Sequence, residues 1–137
     1  MLRSDRRLLG LAIALSGLAG FVDALGFLSA GGFFVSFMSG NSTRLAVAIG
    51  ERSVSAALTG AGLIGGFVLG VVLGGVVGDR AGRARQPVVL GTVTTLLVAA
   101  ALLGTVSPSL ALATMVLAMG AENAVLADNG DVKVGLT

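Results

Sequence analysis

Apolar residues run through this chain in long blocks, and polar residues collect at a few breaks between them. Crossing about 30 Å of hydrocarbon takes roughly 20 apolar residues in a helix. Positions 8–28 supply that length with one charge, Asp23, and positions 53–78 supply it with none. A charge-free run from 86 to 121 is longer than one crossing needs. Ser107-Pro108-Ser109 divides it, because proline ends one helix and starts another. The pattern therefore predicts helices over 87–106 and 110–127, the second holding Glu122, and a polar tail over 128–137.

Positions 31–50 read differently. Gly31-Gly32-Phe33-Phe34-Val35 is apolar, Ser39-Gly40-Asn41-Ser42-Thr43-Arg44 is polar, and Leu45-Ala46-Val47-Ala48-Ile49 is apolar again. Each apolar piece is too short to span. Asn41 and Ser42 are good N-cap residues for a helix starting near Thr43. The expectation is two half-helices joined by an unwound turn, or a re-entrant hairpin. Such backbone is tolerated at membrane depth only when it is packed in protein or lines a watery cavity.

Composition narrows the class. Of 137 residues, 55% are hydrophobic and 12% are charged, with a mean hydropathy of +0.98. A soluble domain carries about 25% charged residues, so the chain reads as one all-α, polytopic membrane domain over 1–137. It contains no Cys, His, Trp or Tyr. That excludes thiol catalysis, a Ser-His-Asp triad and the usual zinc, iron–sulfur and haem sites. No nucleophile–base pair or metal set is visible either, so no catalytic residue, metal, cofactor or enzyme activity is expected. The partner expected is the lipid bilayer, not nucleic acid.

Charge placement sets the topology. Arg3, Arg6 and Arg7 precede the first span, and Arg80, Arg83 and Arg85 follow the glycine-rich one. The positive-inside rule places both groups, and the N-terminus, in the cytoplasm. An even number of crossings must then separate them. The spans 8–28 and 53–78 provide two, so the broken segment is expected to re-enter without a net crossing. A cleaved signal peptide over 1–19 is the competing reading of the N-terminus; the apolar run continues past it to Leu28.

Four features could carry chemistry. Gly62, Gly66, Gly70, Gly74 and Gly78 recur every fourth residue, the spacing that lets membrane helices touch backbone to backbone. They serve tight packing in the bundle or across a dimer, or a sliding interface. Asp79-Arg80-Ala81-Gly82-Arg83, after Gly75, resembles the cytoplasmic-loop signature G-x-x-x-D-R-x-G-R of major facilitator transporters. The plainer reading is a positive anchor with Asp79 paired to a neighbouring arginine. Asp23 and Glu122 are intramembrane carboxylates, costly in hydrocarbon and therefore functional suspects. The alternative is a structural carboxylate satisfied by Arg44 or by helix N-termini. Ser36, Ser39, Gly40, Asn41, Ser42, Thr43 and Arg44 form the densest polar cluster, suited to solute or ion contact in a broken helix or to capping a hairpin tip.

Gly20-Phe21-Val22-Asp23-Ala24 matches Gly120-Ala121-Glu122-Asn123-Ala124 at an offset of 100. Three net crossings before the second copy would invert it, giving an inverted repeat in which Asp23, the 39–44 turn and Glu122-Asn123 converge on one site. The stretch from Ala19 to Leu28, with Gly32-Phe33-Phe34-Val35-Ser36-Phe37-Met38-Ser39-Gly40-Asn41-Ser42-Thr43-Arg44-Leu45, closely resembles the YoaK family of bacterial multi-pass inner-membrane proteins. Ala118-Met119-Gly120-Ala121-Glu122-Asn123-Ala124 is similar to that family's second pattern. The resemblance implies a bacterial inner-membrane location, and an N-terminal portion whose further helices, or a homo-oligomer, complete the bundle. It brings no substrate with it.

The expected function is a secondary transporter or permease for a small solute. Asp23 is the proton or cation site, and Ser39, Gly40, Asn41, Thr43 and Arg44, with Glu122 and Asn123, contact substrate. The second expectation is a non-transporting scaffold that dimerises through the glycine stripe. A major facilitator fragment is the third, and it leaves the broken segment unexplained.

Overall fold

The computed structural model describes residues 2–125. Five α-helices follow one another: α1 (Leu2–Ser29), α2 (Met38–Gly50), α3 (Val54–Ala81), α4 (Arg85–Leu103) and α5 (Pro108–Glu122), with a 3-10 turn over Gly82–Ala84 between α3 and α4. The fold is an all-α helical bundle. The tail expected over 128–137, and the end of the span expected over 110–127, lie outside the described residues.

Helix ends follow local chemistry. Pro108 takes the first turn of α5, where its missing N–H costs nothing. Ser107 caps that helix, its hydroxyl accepting from the Leu110 N–H at 3.4 Å. Gly82, at φ 53°, ends α3 in a conformation that suits glycine.

The segment 31–50 breaks in a different place from the one its polar pattern suggests. Backbone over 30–37 is non-helical, and α2 begins at Met38, so Asn41, Ser42 and Thr43 lie inside the helix rather than capping one. Two causes account for this. Gly31 and Gly32 adopt φ of 63° and 88°, which stops the apolar stretch 31–35 from continuing a helix. The hydroxyls of Ser42 and Thr43 bond back to the carbonyls of Met38 (2.9 Å) and Ser39 (3.2 Å), which accommodates them in helical backbone.

Contacts along the chain give the directions of the helices. The segment 30–37, called the strap below, runs back along the end of α1, with Val35 against Gly26 and Ser36 against Asp23. It is antiparallel to the start of α2, where Phe34 meets Asn41 and Gly31 meets Arg44. A three-residue turn then joins α2 to α3, and Leu45 faces Gly60 across this hairpin. Segment 30–50 therefore begins and ends at the same end of the bundle, the geometry of re-entry.

Helix α5 is the most buried element. It packs on α3 and α4 and also touches α1, and Val116, Ala118, Met119 and Ala121 are buried with Val89 and Val93 of α4. On α3, Gly66 faces Val116, Gly70 faces Leu117 and Gly120, and Gly74 faces Ala121. The numbers rise together, so α3 and α5 are parallel, and α4 returns between them. With α3 antiparallel to α1, α5 is antiparallel to α1 as well, the direction an inverted repeat requires. The start of α1 and the turn after α3 share one end of the molecule, which gathers Arg6, Arg7, Arg80, Arg83 and Arg85 there. This is the arginine end below.

The stretches Arg6–Ser29 and Val54–Leu103 are long and apolar enough to cross a membrane, Gly82 dividing the second, and Pro108–Glu122 is a shorter apolar helix. In the apolar 18-residue stretch of each, only 11% and 22% of the residues are buried inside the molecule. Helices in the core of a soluble protein would be hidden; here Leu9, Ile13, Phe21, Leu28, Leu58 and Val68 are all exposed. Helix α1 runs unbroken through position 19, and both Leu15 and Val22 belong to the core.

Candidate functional site: a strap held by two side chains

Non-helical backbone must find partners for every N–H and C=O it withdraws from a helix. The strap finds them on Asp23 and Asn41. Asp23 Oδ1 accepts from the backbone N–H of Val35 and of Ser36, each at 2.7 Å, and Oδ2 accepts from the Ser36 hydroxyl at 2.6 Å. Asn41 Oδ1 accepts from the Phe34 N–H at 2.8 Å, and Asn41 Nδ2 donates to the Phe34 carbonyl at 2.7 Å. The Asn41 amide thus pairs with one residue of the strap as a neighbouring strand would. Both Asn41 and Val35 are 0% exposed.

Small residues make room for this clasp. A Cβ on Gly26 would stand 2.7 Å from a Val35 methyl carbon, and one on Gly40 would collide with the Phe37 ring. Phe34 stacks against Phe27 (5.1 Å between centroids) and edge-on against Phe37 (5.3 Å). The run Gly26, Phe27, Phe34, Val35, Ser36, Gly40 and Asn41 is therefore one packed unit.

Arg44 does not neutralise Asp23. Its guanidinium lies over the Phe33 ring at 5.2 Å and the Phe27 ring at 5.8 Å, within cation–π range. It donates to the Gly31 carbonyl over a long 3.4 Å. Asp23 is satisfied by strap N–H groups and a hydroxyl instead. Ser39 and Thr43 are exposed on α2, outside the clasp.

The remaining candidates stand elsewhere. Glu122 and Asn123 form no hydrogen bond or ion pair with Asp23 or with 39–44 among the described residues, so the expected convergence of the two copies is not found. The Asn123 amide donates to the carbonyls of Met119 (3.0 Å) and Gly120 (3.4 Å). They sit next to Ala124, whose carbonyl accepts from Arg85 Nε at 2.9 Å, at the arginine end. Arg85 Nη1 also pairs with Asp79 at 2.8 Å, so the partner of Asp79 is Arg85, while Arg80 and Arg83 are exposed. Gly78 leaves space for the Arg85 side chain to cross. Of the glycine stripe, Gly66, Gly70 and Gly74 pack against α5 within the chain, and only Gly62 has open space where a Cβ would stand. No group of three potential metal-ligating side chains occurs among the described residues.

Ser36 stood in the polar cluster and Arg85 in the basic turn, but pattern reading did not find that Ser36 pairs with Asp23 or that Arg85 ties Asp79 of α3 to Ala124 after α5. A hydroxyl thirteen residues after an intramembrane carboxylate, across a Gly-Gly pair, is the signal that could have found the first. Arg85 was hidden among like residues at 80 and 83.

Known proteins share this arrangement of sequence. The UPF0700 transmembrane protein RA0705 of Rhizobium meliloti (strain 1021) is 51% identical over 51 residues, which cover 36% of this chain and 22% of that protein. The match thus spans less than a quarter of the relative's length. No solved structure matches. The profile of the family described as "Protein of unknown function (DUF1275)" matches residues 11–137. Nearly the whole described fold falls inside that match, including the clasp, the glycine stripe and the arginine turn. With apolar helices exposed along their length and a relative named as transmembrane, this chain is a membrane protein of the DUF1275 family.

Proposed function

We propose that the protein is a secondary transporter or permease for a small solute, YoaK-like, with the strap and Asp23 as its proton-responsive element. It resides in the inner membrane of a bacterium, with the arginine end and the N-terminus in the cytoplasm. Helices that follow this segment, or a second copy, complete the bundle. Two arginine-rich pieces of sequence at one end, the start of α1 and the turn after α3, support that orientation.

The observation that carries this reading is the asymmetry of the Asp23 carboxylate. Oδ1 holds two backbone N–H groups, which donate and nothing else, whereas Oδ2 holds only a hydroxyl. A serine hydroxyl accepts as readily as it donates. A proton arriving on Oδ2 is therefore accommodated by rotation of the Ser36 hydroxyl while Oδ1 keeps the strap in place. Irregular backbone at membrane depth, beside a carboxylate that tolerates both protonation states, is the equipment of proton-coupled transport.

Asn at position 23 reproduces the protonated form, with Oδ1 accepting both N–H groups and Nδ2 donating to Ser36. The full protein in vesicles loaded with a pH-sensitive dye is challenged with pools of small solutes. The wild type should move protons in response to one pool, and Asp23→Asn should be silent while folding normally. Equal proton movement in both proteins would sink the assignment of Asp23. The scaffold alternative is weaker because Gly66, Gly70 and Gly74 are already covered by α5.

A further inference from the structure

The tip of the α2–α3 hairpin carries a feature that the strap does not use. Helix α2 ends in a Schellman motif: the Arg52 N–H bonds to the Ile49 carbonyl at 3.1 Å and the Ser53 N–H to the Ala48 carbonyl at 2.9 Å. The residue that turns the corner has φ 55° and is Arg52, the sole non-glycine residue with positive φ among the described residues. Glycine is the usual occupant because an L side chain is strained there. An arginine kept in such a conformation points to a use for its side chain.

Beside it lies an open apolar groove of about 480 Å³ between the end of α2 and the start of α3. Its lining is apolar, from Leu45, Ala48 and Ile49 of α2 to Val54, Ala57, Leu58 and Ala61 of α3, except for Arg52 and Ser53. Arg52 makes no ion pair among the described residues, and adjacent Glu51 is not within bridging distance of it. The hairpin tip is the end of the bundle opposite the arginine end, where a spanning helix meets the lipid headgroups.

We propose that this groove binds an anionic phospholipid, with one acyl chain along the α2–α3 walls and the phosphate on the guanidinium of Arg52. The groove supplies an apolar trough in a molecule whose surroundings are lipid, and Arg52 supplies forked donors that match phosphate geometry. The complement of one fixed positive charge over an apolar channel is an amphiphile with one negative head. A free anion has no use for the trough, and a zwitterionic phospholipid sets its own cation beside the phosphate, in opposition to the arginine. This site is separate from Asp23 and does not depend on the transport reading.

Thermal unfolding of the full protein in a nonionic detergent tests it, with phosphatidylglycerol or phosphatidylcholine of identical chains added. Phosphatidylglycerol should raise the midpoint by several degrees more than phosphatidylcholine, because a ligand that binds the folded state stabilises it by mass action. Arg52→Gly separates the two roles of this residue. Relief of positive φ should hold or raise the midpoint without lipid, and loss of the guanidinium should weaken phosphatidylglycerol binding about tenfold or more. Arg52→Lys should keep most of the selectivity, and Ala57→Trp, which fills the trough, should remove the response to phosphatidylglycerol. The proposal is overturned if Arg52→Gly retains the full selective shift, if phosphatidylcholine matches phosphatidylglycerol in the wild type, or if inorganic phosphate alone reproduces the effect.

Discussion

Asn41 shows how one side chain stands in for a missing strand. Phe34 has left the helix, and its N–H and C=O sit in a place where water does not compete. The carboxamide returns one acceptor and one donor at 2.8 and 2.7 Å. Truncation to alanine strands both backbone groups, each at a cost of about 1–3 kcal/mol when buried. Asn41→Ala should therefore destabilise the protein by about 2–6 kcal/mol, read as a fall in the unfolding midpoint in detergent. Asn41→Asp should be nearly as damaging despite its similar shape, because its second oxygen faces the Phe34 carbonyl with no proton to give. Thr43→Ala, which removes only a hydroxyl bonded within its own helix, should change the midpoint little. A loss as large for Thr43→Ala as for Asn41→Ala would refute the pairing account.

Among the elements, α3 and α5 depend on side chains that are not there. Gly70 and Gly74 bring α3 so close that a Cβ would stand 3.0 Å from the Gly120 Cα or 2.6 Å from the Ala121 Cα. Backbone cannot yield as a flexible side chain does, so Gly70→Leu and Gly74→Leu should separate the two helices and cost several kcal/mol. Gly62→Leu and Gly65→Leu meet open space and should leave the midpoint within about 0.5 kcal/mol, the range for harmless surface changes. Equal damage at all four would mean that the stripe packs against something other than α5. The spacing of these glycines was legible in the sequence because a four-residue period marks one helical face. Their partner was not, since Gly120 and Ala121 lie fifty residues away and carry no matching period. The strap failed for a related reason. Its polar neighbours 39–44 look like a break, yet Ser42 and Thr43 bond back within the helix and Asn41 and Arg44 reach the strap from it, whereas the true break follows from two glycines whose φ no composition count reveals. Asp23 announced itself as an anomaly in an apolar run, but its three donors, two backbone N–H groups and the Ser36 hydroxyl, come from a segment that had first to leave the helix.

At the scale of the whole molecule, direction decides topology. Two antiparallel relations and one parallel one place the N-terminus of α1 and the turn at Gly82–Ala84 at the same end, with the α2–α3 hairpin tip at the other. A re-entrant segment and a complete crossing make opposite forecasts here. If 30–50 returns to the side it came from, position 84 shares a side with the N-terminus and position 51 lies across the membrane. If it crossed, positions 51 and 84 would exchange their relation to the N-terminus. The sequence contains no cysteine, so single introduced thiols report without background from these residues. Ala84 and Glu51 are both exposed, so neither replacement disturbs the core. In intact cells an impermeant maleimide should label Glu51→Cys and spare Ala84→Cys, and in inverted vesicles the pattern should reverse. Labelling of Ala84→Cys from outside would put the arginine end in the wrong compartment, and labelling of both from one side would mean that α3 does not cross, which would remove the topology in which the strap re-enters.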